Sequence, residues 1–266
     1  MEPEISHHHV LESQWPPLAK PSICLVAGTP HTGSSMSSIL LTPLLISGLC
    51  YPVVTLGPPH RSYHSTASDD RNVYIFGGCG VAGRLNDLWQ YDVIEQKWVK
   101  YPTPGENCKG RGGSGLAVVQ GKIWVVYGFS GEETDDVHCF DPIQGTWTQV
   151  DTIGEKPSAR SVFSIVRIGK YIIISGGEVD PSDLGHLGAG KFASEAYALD
   201  TETLIWKRLN DGLGSDDHPG PRGWCAFAGG CLDGNQGLFV YGGNSPSNDR
   251  LDDIFFFTPC VDAIDN

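Results

Sequence analysis

The chain has 266 residues, 40% of them hydrophobic and 18% charged, so it can bury a core and is not a disordered polyelectrolyte. Its 18 basic residues face 31 acidic ones, and a formal charge of -13 leaves no basic stripe with which to bind nucleic acid. The 8 cysteines include no C-x-x-C pair, which points to reduced, packed thiols in a cytosolic or nuclear protein rather than to a disulfide framework or a zinc site.

Residues 1–59 are read as a non-repeat segment without regular packing. Met36 to Pro59 is apolar and uncharged, but Pro43 and Pro52 interrupt it and Glu2 and Glu4 stand where a signal peptide needs basic residues. Neither a membrane span nor a membrane partner is expected. The run His7 to His9 is read as a solvated tail.

From Arg61 the sequence repeats with a period of about 50 residues, marked by an arginine, a hydrophobic strand ending in glycine, an aspartate and a tryptophan. The arginines are Arg61, Arg111, Arg160 and Arg222. The glycines are Gly77-Gly78, Gly128 with Phe129 in the place of the second, Gly176-Gly177 and Gly242-Gly243. Asp92, Asp141 and Asp200 follow, then Trp98, Trp147 and Trp206. The β-branched and aromatic runs before the glycines predict strands buried on both faces, and each aspartate predicts a turn into an outer strand whose tryptophan fills the wedge between repeats. This is the pattern of kelch blades. The expected fold is an all-β kelch-type β-propeller of four recognisable blades over residues 60–260, followed by a tail at 261–266. The ring reads as incomplete, since the last repeat ends at Leu251–Cys260 without a tryptophan strand; truncation or alternative splicing is the expected cause, and a genuine short propeller or closure by oligomerisation is the alternative.

Propeller geometry brings the arginines and the loops after the glycines to one face. Each arginine either pairs with an aspartate of the next blade or joins a ring of forked donors around an anionic ligand. Trp224 either walls a pocket at this mouth or packs between blades. The third loop, from Gly177 to Ser194, is the long one, and it carries Glu178, Asp180, Asp183 and His186. Glu178, Asp183 and His186 form a hard donor set suited to a divalent metal such as Fe(II); the alternative is a solvated acidic loop whose His186 bonds a carbonyl. No motif for covalent catalysis occurs.

The stretch from Arg61 to Phe257, especially the third loop, the segment around Trp224 and Tyr241–Asp253, resembles the plant nitrile-specifier, epithiospecifier and thiohydroximate-forming kelch proteins. The resemblance implies a six-bladed propeller of which two N-terminal blades are missing here. It also implies Fe(II)-dependent diversion of the glucosinolate aglycone released by myrosinase toward nitriles and related products. Glu178 and His186 match the family's outer iron ligands, whereas Ser182 occupies the middle position and Asp183 stands one residue later. Trp224 and the arginines (Arg61, Arg111, Arg160, Arg222) are implied to face the sulfate-bearing substrate. A non-catalytic module that binds a protein partner on the same face is the competing expectation.

Overall fold

The computed structural model describes residues 57–183, 188, 190–210 and 218–259, together with three short strands earlier in the chain, β1 (Cys24–Leu25), β2 (Ile39–Thr42) and β3 (Leu45–Cys50), which form a sheet of their own. The expectation about how the rest of residues 1–56 packs lies outside the described residues. No helix among them is long and apolar enough to cross a membrane.

The repeats fold as four antiparallel blades. The first contains β4 (Ser65–Ser68), β5 (Asn72–Gly80), β6 (Gly83–Asp92) and β7 (Lys97–Lys100), and the second β8 (Gly115–Val119), β9 (Lys122–Phe129), β10 (Glu133–Asp141) and β11 (Thr146–Val150). The third blade holds β13 (Ser164–Ile168), β14 (Tyr171–Ser175), β17 (Ala196–Asp200) and β18 (Ile205–Asn210). A linker strand, β12 (Ile153–Gly154), pairs parallel with β18, and the long loop forms its own hairpin of β15 (Glu178–Asp180) and β16 (Lys191–Phe192). The fourth blade has three strands, β19 (Ala226–Leu232), β20 (Asn235–Asn244) and β21 (Arg250–Phe257).

Each predicted landmark has a visible cause. Asp92, Asp141 and Asp200 accept hydrogen bonds from the backbone N–H groups two and three residues on, which closes the turn into the outer strand. Trp206 is fully buried, with its indole N–H on the Thr152 hydroxyl at 3.1 Å, and Trp147 packs on Phe76 and Phe140. The core is divided among the blade interfaces. Tyr74, Phe76, Leu88, Ile123 and Phe140 fill the first; Trp124, Tyr127, Phe163, Ile172 and Trp206 fill the second; a smaller group around Ile168, Tyr171 and Ile173 meets Phe257 at the third. The fourth blade leaves Phe227, Leu232, Tyr241 and Ile254 exposed.

The arginines hold the blades together from inside. Arg61 places both guanidinium nitrogens on Asp87 (2.6 and 2.9 Å) and donates to the Gly77 carbonyl, and Arg111 does the same with Asp136 (2.5 and 2.8 Å) and the Tyr127 carbonyl. Arg222 repeats the pattern with Asp253 and the Gly242 carbonyl. These aspartates belong to the arginine's own blade, not to the next one as expected, because the third strand runs beside the second where the guanidinium emerges. Arg160 meets no carboxylate within ion-pair distance among the described residues. It bonds the Gly176 carbonyl and Ser158 and lies over the Tyr197 ring, and burial lowers its pKa.

The structure also corrects the second repeat. Tyr127, with φ 55°, takes the place of the first glycine, and Gly128 is the second. The second glycine's N–H bonds the arginine carbonyl of the following blade: Gly78 to Arg111, Gly128 to Arg160 and Gly177 to Arg222. A Cβ on Gly177 would come within 2.8 Å of the Ser161 carbonyl oxygen, so a side chain there would force the strands apart.

Burial alone would raise the Asp136 carboxyl, but the hydrogen bonds and charge of Arg111, with His138 beside it, hold it well below the usual carboxylate range. Stability from this pair is therefore present at neutral pH and is lost as pH falls through the depressed value. Asp136→Ala, which strands the buried Arg111, is expected to cost about 3–5 kcal/mol, read as a lower urea midpoint at unchanged slope.

Candidate functional site

The turn after each arginine adopts the left-handed conformation at the same position in all four blades: Tyr63, Gly113, Val162 and Trp224, with φ between 49° and 60°. For a β-branched residue such as Val162 this is strained, and the surrounding bonds must hold it. Gly113 N–H bonds the Tyr63 carbonyl, Val162 N–H the Gly113 carbonyl and Trp224 N–H the Val162 carbonyl, at 2.8–3.0 Å. A chain of backbone hydrogen bonds thus passes from blade to blade along the mouth.

Just before each left-handed residue, a single bridge joins the turn to the end of the second strand: Ser62 to Cys79, Gly112 to Phe129, Ser161 to Glu178 and Gly223 to Asn244. Directly across the hairpin from the latter residues stand Arg84, Glu133, Phe192 and Arg250. The backbone is common to the four blades while these side chains differ. Several of them line a cavity of about 650 Å³ whose walls include Tyr63, Phe129, Val162, Trp224 and Leu251, with Arg84, Arg250, Glu178 and Ser182 among its polar groups.

The sequence-derived candidates divide on this geometry. Arg61, Arg111, Arg160 and Arg222 are 1–6% exposed and none lines the cavity, so the expected ring of mouth donors is replaced by blade-internal forks. Trp224 does line it, and its ring meets Tyr63 edge-on at 5.6 Å, joining the first and fourth blades across the mouth. The cations that reach the cavity are ones the sequence reading passed over. Arg84 lies over the Phe129 ring at 4.8 Å, Arg250 bonds Asn248, and neither meets a carboxylate within ion-pair distance among the described residues. Their signal in the sequence was negative: they sit where the repeat varies, beside the constant glycines.

Of the expected metal ligands, Glu178 is buried and lines the cavity, Asp183 is exposed and does not, and His186 lies outside the described residues. Among the described residues no three His, Cys, Asp or Glu side chains lie close enough to hold an ion together. Of the three, only Glu178 is placed to offer a carboxylate to the cavity among the described residues. The return leg of the loop passes so close that a Cβ on Gly190 would stand 2.0 Å from the Glu178 Oε1, while Asp180 is taken by Lys191 at 2.5 Å.

Glu133 stands behind the same wall and was missed by sequence reasoning. Burial pushes its carboxyl up to about 8; the Ser161 hydroxyl opposes this, and the charges of Glu178 and Asp180 add to it. His64, on the first blade's inner turn, is held down at about 4 by burial and by Arg61.

With this geometry in place, the comparisons with known proteins can be read on it. The model of the KLHDC2/KLHL20/DRC7 kelch-repeats domain matches residues 48–177. The N-(sulfonatooxy)prop-2-enimidothioate sulfolyase of Thlaspi arvense is 41% identical over 222 residues, covering 76% of this chain and 63% of that protein. Human kelch domain-containing protein 3 is 29% identical over 218 residues, covering 78% and 53%, and acyl-CoA-binding domain-containing protein 4 of Arabidopsis thaliana is 26% identical over 203 residues, covering 71% and 28%. This chain thus spans less than two thirds of the length of each of these relatives. Fold and mouth define a kelch-repeat β-propeller protein. Within that class, the chain is similar to specifier-type kelch proteins such as the Thlaspi sulfolyase.

The raised Glu133 carboxyl has a measurable consequence. Its proton is held more tightly in the folded chain than at the ordinary value of 4.5, so its stabilising contribution is complete below that pH and is lost as pH rises through about 8. Glu133→Gln is expected to melt with the parent at pH 4.5 and above it at pH 8.5 in metal-free buffer, as followed by circular dichroism.

Proposed function

We propose that this chain acts as a specifier, binding the sulfated aglycone released from a glucosinolate by myrosinase and directing its breakdown toward nitriles and related products. The observation that carries this reading is the cavity itself. It combines two arginines without carboxylate partners among the described residues, an apolar wall and one buried carboxylate.

Each part of such a substrate has a match in charge and polarity. The sulfate oxygens accept from the planar guanidinium forks of Arg84 and Arg250, whose charge also stabilises the sulfate as it leaves. The side chain of the aglycone lies against Tyr63, Phe129 and Trp224. The sulfur end is directed toward Glu178. The Thlaspi relative is named for a sulfolyase acting on a substrate of this class, which supports the reading.

Glu178, with His186 and Asp183 from the same loop, would hold Fe(II) in this reading, and the ion would supply a Lewis acid for the thiolate sulfur. Exclusion of water falls to the chain's own aromatic wall, and orientation of the substrate to its two arginines. The competing reading, a kelch module that binds an anionic segment of a protein partner, is favoured by the exposed position of Asp183 and uses the same two arginines.

Product analysis with myrosinase and a glucosinolate, with and without Fe(II), separates the two. The specifier reading expects nitrile or related products at the expense of isothiocyanate, and about a tenfold loss or more in kcat/KM for Arg84→Ala with Arg250→Ala, by the magnitude of a lost charged contact in a binding site. Ser182→Asp, which places a carboxylate at the family's middle ligand position, is expected to tighten Fe(II) binding. Unchanged isothiocyanate output, together with no detectable Fe(II) binding by titration calorimetry, leaves the binding module.

A further inference from the structure

We infer that Glu133 is a positioning residue: through the Ser161 hydroxyl it fixes where the Glu178 carboxylate stands in the cavity wall. This deepens the proposed function and rests on it for the role of Glu178, although the geometry stands on its own.

The linkage has two steps. Ser161 Oγ donates to Glu133 Oε1 at 3.1 Å, and this contact crosses from the third blade to the start of β10 in the second. Ser161 is in turn bound to Glu178 in both directions, its N–H to the Glu178 carbonyl at 2.9 Å and the Glu178 N–H to its carbonyl at 2.8 Å. That bridge is isolated, not part of a ladder, and on its other side Glu178 is held by the short β15–β16 hairpin. Two of the three equivalent bridges use Gly112 and Gly223, which have no side chain to anchor. A side chain that ties the bridge to the neighbouring blade is thus present where the mouth carries its buried carboxylate.

Glu133 has little else to do. Its second oxygen, Oε2, is shut off from solvent and has no hydrogen-bond partner among the described residues. A carboxyl kept in such a place, with one hydrogen bond to a residue that is itself bonded to the site, acts through that bond. Without it the Ser161 hydroxyl turns freely and the Ser161–Glu178 bridge loses its lateral support.

The test compares Glu133→Ala with Glu133→Gln, whose amide oxygen still accepts from Ser161. The readouts are hydrogen exchange at the Ser161 and Glu178 amides by NMR, and Mn(II) affinity by titration calorimetry. Glu133→Ala is expected to speed exchange at both amides and to weaken Mn(II) binding about tenfold, the usual cost of losing a residue that orients a metal ligand. Glu133→Gln is expected to restore both. Ser161→Ala should reproduce the Glu133→Ala values, and combining the two should add nothing further.

Parent-like exchange at Glu178 in Glu133→Ala overturns the inference. So does a Glu133→Gln variant as impaired as Glu133→Ala, since the effect would then lie in the charge and not in the hydrogen bond. If the parent chain binds no Mn(II), the metal reading of the site fails and the exchange data alone decide the role of Glu133. Thermal melts guard against simple unfolding, and Ser161→Ala, which removes one oxygen, carries the comparison if Glu133→Ala does not fold.

Discussion

A buried guanidinium at the start of each blade is the interaction on which the rest of this structure depends. It is charged, almost wholly removed from water, and tolerable only because its donors are met within the blade. The same fork bonds the carbonyl at the end of the second strand, and in three blades an aspartate on the third. Three strands are thereby fixed relative to one another at the mouth end. The left-handed turn that follows is placed by this anchor, and its backbone bonds then reach the adjacent blade. Arg160 shows the limit of the pattern: Glu195 stands at the aspartate's place without reaching it, and Tyr197 supplies a ring instead.

This arrangement separates frame from function within a single repeat. The arginine, the glycines and the turn aspartate carry closely similar bonds from blade to blade, while three positions per blade, at the turn, at the second-strand end and across from it, are free to differ. Those positions hold Tyr63, Gly113, Val162 and Trp224 in the turns; Cys79, Phe129, Glu178 and Asn244 at the second-strand ends; and Arg84, Glu133, Phe192 and Arg250 across from them. The result is a cavity with cations from the first and fourth blades and the Glu178 carboxylate from the third, while the Glu133 carboxyl of the second stands behind the wall.

The long third loop extends the same frame. Its β15–β16 hairpin begins at the bridge residue, so Glu178 keeps the backbone position of Cys79, Phe129 and Asn244 even though the chain beyond it travels much further. Glycine at position 190 is needed where the returning strand crosses the Glu178 carboxylate, because a methyl group there would collide with it. An insertion can therefore add ligand-binding groups to a blade without disturbing the packing beneath.

The sequence by itself determined the class of fold. A period of about 50 residues, with strand, turn and wedge residues in fixed order, is a local pattern, and each landmark acts through neighbours a few residues away or through the next repeat. The aspartate turns and the buried tryptophan of the third blade were legible for that reason. The sequence also marked the third loop and Trp224, because an insertion and an aromatic residue beside a constant arginine stand out against the repeat. It did not determine which arginines face the cavity. Arg61 and Arg84 are equally basic on paper, and only their depth in the folded blade, where Asp87 lies beside one and open cavity beside the other, separates a structural fork from a cavity-lining cation. Tertiary structure likewise decided that Glu133 stands behind Glu178, because the two come from different blades and are linked through Ser161. Burial and convergence across blades are properties of the packed blades together, and no single repeat contains them.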